Sequence, residues 1–281
     1  MKIPQHWIRY DGDVSRPDGE KLRLSAWGWS DSSDPEAWAK ARDRFASLEQ
    51  RVRQGLDLPK GYAYGDRPVR EQIIDQIVDA EGRVDAMLTR NSYGAIVLNT
   101  ARAMFVDVDA PEPPPAQGFL GRLFGRSEPP PADDEPLAKL RNALRGTRGS
   151  YRVYRTAAGF RVLAIDRPFV PASADAESVM RAIGADPAFI QLCRIQESFR
   201  ARLTPKPWRM DQSTPPGQFP RAASEEPAFQ NWIREYDRAS ESKATCTFLE
   251  IVGSTAIDPP IEPIVTLHDT RTKATSGLPL A

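Results

Sequence analysis

The sequence is poor in the residues that would make its chemistry obvious. Among 281 residues there are two cysteines, Cys193 and Cys246, and two histidines, His6 and His268. That excludes a disulfide framework, a cysteine-rich zinc site and a histidine-rich metal centre. No apolar run approaches the roughly 18 residues of a spanning helix, so no membrane span is expected. MKIPQHWIRYDGD has no apolar signal core, and a cytoplasmic location is the expectation. Charge of one sign is also lacking: 38 basic side chains balance 38 acidic ones, so the chain is not a histone-like polycation. There is no GxGxxG, no Walker lysine loop and no GxSxG elbow, which removes dinucleotide, P-loop and α/β-hydrolase readings.

What is present is a globular composition, 40 % apolar and 27 % charged, with an uneven distribution of 26 prolines. Eight of them fall in 110–136, where no regular element can run through. Between its two PPP tracts lies GFLGRLFGR, whose Phe119, Leu120, Leu123 and Phe124 have helical spacing. Residues 117–126 are therefore a candidate docking peptide for a protein partner, the plain alternative being a surface insertion.

Elsewhere helical and strand patterns mix. Strands are expected at 7–10, 22–29, 83–90, 93–100, 103–108, 150–156, 160–165, 244–252 and 264–267. Helices are expected at 34–55, 69–80, 136–145, 174–183, 187–198 and 225–240. In the first, Trp38, Ala41, Phe45, Leu48 and Val52 share a face. The pattern predicts an α+β fold with a largely antiparallel sheet flanked by helices. Residues 1–82 form an N-terminal strand pair and helices packing on an 83–281 core that contains the insertion.

Four places carry possible chemistry. In MFVDVDAP, Asp107 and Asp109 lie on one face of a strand about 7 Å apart, a spacing at which two carboxylates can share Mg²⁺ or Mn²⁺. A strand running into a solvated acidic turn is the structural alternative, and Asp11-Gly12-Asp13 reads as plain turn chemistry. The hairpin YRVYRTAAGFRVLAID carries Arg155 and Arg161. Across 139–209, 14 basic residues face five acidic ones, a local balance of +9 that points to a polyanion partner. In SFRARLTPKPWRM, Arg200 and Arg202 alternate with apolar residues, and Lys206, Trp208 and Arg209 can hold phosphates around a stacked base. Last, PIVTLHDTRT places His268-Asp269 at a predicted strand end, where Asp269 is a candidate third metal ligand or a helix N-cap. Both cysteines sit in apolar surroundings and are expected in the core.

Taken in order, FVDVD, Gly159-Phe160-Arg161 and Leu267-His268-Asp269 resemble the three motifs of the archaeo-eukaryotic primase superfamily, over about residues 83–270. The resemblance implies an RRM-like sheet and metal-dependent nucleotidyl transfer. In that arrangement Asp107, Asp109 and Asp269 bind Mg²⁺ or Mn²⁺ and do the catalysis. Arg161 and either Arg155 or Arg200, with His268, contact the nucleoside triphosphate, and Lys206, Trp208 and Arg209 contact single-stranded nucleic acid. Arg161 stands where the family has histidine, and Gly159 where it has serine. Two other classes fit the same residues. One is a non-catalytic nucleic-acid- or partner-binding module on an RRM-like fold. The other is a glycosyltransferase whose DxD holds a nucleotide-sugar, against which the first 80 residues lack a nucleotide-binding strand–helix alternation.

Overall fold

The computed structural model describes residues 1–58, 68–79, 81–110 and 134–281. The candidate docking peptide 117–126 lies outside them. The class is α+β, with antiparallel sheets flanked by helices. Among the described residues no helix is long and apolar enough to cross a membrane.

The chain opens with a hairpin of β1 (His6–Ser15) and β2 (Lys21–Ser30), covered by α1 (Asp34–Arg53). Strand β1 runs straight through Asp11-Gly12-Asp13, so the hairpin turn falls at Arg16–Glu20 instead. Helix α1 starts where Ser33 accepts the amide of Glu36, with proline at its first turn and Asp34 and Glu36 facing the positive helix end. Its buried face is Ala37, Ala41, Phe45 and Val52. Trp38, expected on that face, is 45 % exposed. Gly28 decides the register. A Cβ there would lie 1.9 Å from the Ala37 carbonyl oxygen and 2.4 Å from the Ala41 nitrogen, so the helix crosses the hairpin backbone to backbone at two alanines.

The helix expected at 69–80 is not formed by the described residues 69–79. Strand β3 (Gln72–Val78) pairs antiparallel with β4 (Val84–Arg90), with irregular register beside Ile73/Asp75 and Ile77/Val78. Four β-branched residues in QIIDQIV favour the pleated state once a partner strand follows at once. Asp79 secures the connection by accepting the amides of Glu81 and Arg83. The sheet continues through β5 (Ile96–Thr100) to β9 (Phe199–Arg202), in the order β3-β4-β5-β9. The strand just before residue 83 thus belongs to this sheet and not to the N-terminal hairpin.

The second four-stranded sheet contains β6 (Phe105–Asp109), β7 (Tyr151–Thr156), β8 (Gly159–Ala164) and β10 (Cys246–Val252), in the order β10-β7-β8-β6. One face, with Val106, Val153 and Val162, packs on α2 (Asp134–Gly146), α3 (Ala174–Ala182) and α4 (Pro187–Gln196). The other face, with Phe105, Tyr154, Leu163 and Cys246, packs on α6 (Glu262–Thr272) and on residues of the first sheet. Helix α5 (Glu226–Ser240) buries Phe229, Trp232 and Tyr236 in a separate aromatic cluster.

Helix α6 replaces the strand expected at 264–267. The run IVTL is β-branched, but Ile261, Ile264, Val265, His268 and Thr272 recur with helical period and are all buried. Both cysteines are buried, as expected.

Candidate functional site

The sheet face under α6 carries a row of polar side chains built by register. Asp107 on β6 faces Arg161 on β8, which faces Tyr154 on β7. Arg161 is fully buried and grips Asp107 with two hydrogen bonds, Nε to Oδ1 at 2.7 Å and Nη2 to Oδ2 at 3.0 Å. Its Nη1 donates to the Arg202 carbonyl oxygen at 2.7 Å and lies 3.4 Å from His268 Nε2. Since arginine only donates, His268 Nε2 is an acceptor and its Nδ1 carries the proton, donated to Asp269 Oδ1 at 2.9 Å. Asp269 also accepts from the Tyr154 hydroxyl at 2.7 Å and from Arg152 Nη2 at 2.5 Å.

The electrostatics follow the pairing. Desolvation pushes the Asp107 carboxyl up, but the Arg161 guanidinium outweighs it and holds the carboxyl below its usual range. Burial acts to lower Arg161, and Asp107 more than reverses it. Asp269 lies low because hydrogen bonds from His268 and Tyr154 outweigh its desolvation. His268 is driven down to about 4, first by burial and then by Arg161, against the Asp269 hydrogen bond.

This row does not fit a three-carboxylate metal centre. Asp269 sits on a helix, not at a strand end, and both its oxygens are already hydrogen-bonded. Both oxygens of Asp107 are held by Arg161. Asp109 is exposed at the end of β6. Among the described residues no group of three histidine, cysteine or acidic side chains could hold a metal ion. Arg161, expected to grip a triphosphate, and His268 beside it are both fully buried in this row. Gly159 has a local reason: a Cβ there would lie 2.2 Å from the Val108 carbonyl oxygen, so serine does not fit.

Arg200 is likewise committed. Its Nη2 donates to both oxygens of Glu71 at 2.7 and 2.9 Å, and its Nη1 to Asn99 and Gln196. Glu71 is 4 % exposed and also accepts from Thr89. A buried pair hydrogen-bonded in this way is a structural element, with both Nη atoms of Arg200 already engaged. Arg155 stacks on Phe160 at 4.1 Å.

The basic segment after β9 behaves differently. Arg202, Lys206 and Arg209 converge beyond β9 and along the short 3-10 turn Pro207–Met210, and none has a carboxylate within ion-pair distance among the described residues. Arg202 Nε and Arg209 Nη1 are buried atoms without a hydrogen-bond partner. Desolvation lowers Lys206, and Arg202 and Arg209 lower it further. Arg209 falls for the same two reasons, desolvation and Arg202. Asp109 acts on Lys206 in the opposite sense. Trp208 is 51 % exposed, with Lys206 Nζ 5.3 Å from its ring and Tyr93 meeting it edge-on at 5.3 Å.

A cavity of about 360 Å³ opens beside this cluster. Arg200, Arg202 and Asp107 line its polar side, and Trp7, Tyr93 and Phe189 its apolar side. Tyr93 and Trp7 were not anticipated from the sequence. Nothing local marks them, because one comes from a tight turn and the other from the N-terminal hairpin. No family model, curated protein or solved structure matches the chain.

Proposed function

We propose that the protein binds single-stranded nucleic acid without acting on it, through Arg202, Lys206 and Arg209 with Trp208 and Tyr93 as the stacking surface. The observation that carries this is three cations converging beside a half-exposed indole, with no ion-paired carboxylate among the described residues. Like charges held together raise the energy of the free protein, and a polyanion relieves it. Aromatic faces next to cations are how sequence-tolerant single-strand binding is built. The expected RRM-like platform reads bases on an open sheet face. Here helices cover both faces of the β10-β7-β8-β6 sheet, so the surface we propose lies at the strand ends and the following turn.

The test is fluorescence anisotropy of a labelled oligothymidylate across a salt series. Binding should weaken linearly in log–log form, with slope about −0.7 per phosphate neutralised. Binding indifferent to salt, or unchanged in Lys206→Ala and Arg209→Ala, would overturn the reading.

Metal-dependent nucleotidyl transfer is the second reading, favoured by Asp107 and Asp109 sharing one face at the end of β6, next to the same cations. It requires a divalent cation to displace Arg161 from Asp107. Mn²⁺ should then raise the melting temperature of the wild type but not of the Asp107→Asn/Asp109→Asn variant, and primer extension should depend on Asp107. Equal shifts in both proteins would remove it.

A further inference from the structure

A second group of arginines lies across the Asn91–Gly94 turn from the cavity. Arg90, Arg221 and Arg70 line a small recess of about 20 Å³ together with Gln218 and Phe219. Arg70, Asn91 and Ser92 are walls of both cavities, so the recess and the larger pocket are neighbours. Arg90 is only 6 % exposed, and its Nη1 donates to the Gly94 carbonyl oxygen at 2.7 Å. Its Nε is buried with no partner, and so is the Nε of Arg221. The Arg221 guanidinium carbon lies 3.1 Å from the centroid of the Phe229 ring, with one long bond to Gln72. Arg70 donates to Gln218.

Among the described residues no carboxylate forms an ion pair with Arg90 or Arg221. Asp237 acts on Arg90, and Glu226 and Glu225 on Arg221, only through longer-range attraction. Desolvation is the leading influence on both guanidinium groups. Buried charged donors that lack partners are costly, and they are normally found where a ligand supplies the acceptors.

We infer that the Arg90–Arg221 recess is a second phosphate subsite, taking a phosphodiester of the strand whose neighbouring segment lies on Arg202, Lys206 and Arg209. The recess is about the size of one water, so it admits one phosphoryl oxygen at its floor and excludes a base or a sugar. Arginine forks suit that geometry. Tyr93, from the turn whose Asn91 and Ser92 wall both cavities, meets Trp208 of the first cation segment edge-on, and a base bridging two such phosphates would stack there. The nucleic-acid identity of the ligand rests on the function proposed above; the phosphate chemistry of the recess does not.

Two variants test it in the full chain. Arg221→Gln removes one unpartnered donor. Gln218→Glu places a carboxylate of unchanged size at the exposed rim and needs no repacking. For oligothymidylate, each should weaken binding several-fold at low salt, and Arg221→Gln should flatten the salt slope by about 0.7. Arg209→Gln should do the same independently, so the double variant should lose about twice that amount. If Arg209→Gln weakens binding while Gln218→Glu and Arg221→Gln do not, the proposed function stands and the subsite is wrong. If no variant changes oligonucleotide binding, the function is wrong, and inorganic phosphate followed by ³¹P NMR line broadening decides the recess alone. Broadening lost in Gln218→Glu keeps it as a phosphate site, and equal broadening in wild type and variant removes it.

Discussion

The row from Asp107 to Asp269 and the cluster of Arg202, Lys206 and Arg209 draw on the same basic stretch of sequence and end in opposite states. In the row every cation meets an anion: Arg161 meets Asp107, and Arg152 meets Asp269. Arg200 meets Glu71, and Arg141 meets Glu250. All four acids lie outside 139–209. Folding therefore recombines charges that the sequence keeps apart, and these four pairs take up part of the local excess inside the protein. Among the described residues it leaves Arg202, Lys206 and Arg209 clustered without an ion pair. Paired charge here is architecture, and unpaired charge is what remains for a ligand.

The sharpest way to break that contrast is to remove one cation from each side. Arg161→Met removes a fully buried cation with its two hydrogen bonds to the part-exposed Asp107 and should cost roughly 2–3 kcal/mol by urea denaturation. Lys206→Met should change stability by no more than about 0.5 kcal/mol. Restoring neutrality with Asp107→Leu in the Arg161→Met background should recover much of the loss. Equal costs for Arg161 and Lys206 would end the distinction.

A pH series tests the row next. His268 titrates at about 4 in the fold, against 6.5 as its ordinary value. Between those values the unfolded chain binds a proton that the native chain refuses, so stability rises with pH across that window. The contribution is complete above 6.5 and is lost as pH falls toward 4. It amounts to something on the order of 3 kcal/mol. Asp107 and Asp269 act lower, since a depressed carboxyl loses its contribution only as pH falls below its ordinary value of 3.8. His268→Gln should flatten the melting temperature between pH 6.5 and 4 while leaving the acid limb.

On the open side the effects should appear in binding. Trp208→Ala should weaken oligonucleotide binding by about 1–3 kcal/mol and leave the melting temperature in place, because half of the indole is already in water. An unchanged affinity would make the indole a mere wall for Lys206.

The smallest expected effect is the most specific. Lys206→Ala and Arg209→Ala should each flatten the salt slope by about 0.7, with no loss of stability, since each relieves repulsion within the cluster. A loss of stability comparable to that of Arg161→Met would show that the cluster is paired after all.

Much of the fold can be read from pattern alone. The strands at 84–90, 96–100, 105–109, 151–156 and 159–164 and the helix at 226–240 follow from alternation, turn residues and helical spacing. The two misread elements err in opposite directions. QIIDQIV and PIVTLHDT are both short and rich in β-branched residues, yet one is a strand and the other a helix, so local propensity does not separate them. The choice falls to what packs against them: β4 alongside the first, and a sheet face beneath the second.

The candidate site divides along the same line. Sequence by itself determined which residue types stand at Asp107, Arg161, Arg200, Lys206, Trp208 and Arg209, and that the strand period turns Asp107 and Asp109 to one side. It also marked 199–209 as cationic with an aromatic. Only the tertiary structure decided which of those cations remain available, because an ion pair depends on distance and not on order along the chain. Cross-strand register brought Arg161 to Asp107, the packing of α6 brought Asp269 to Arg152, and the β3 edge brought Glu71 to Arg200. Among the described residues no acid forms an ion pair with Arg202, Lys206 or Arg209, and in a partly desolvated surface their mutual repulsion persists until an anion arrives.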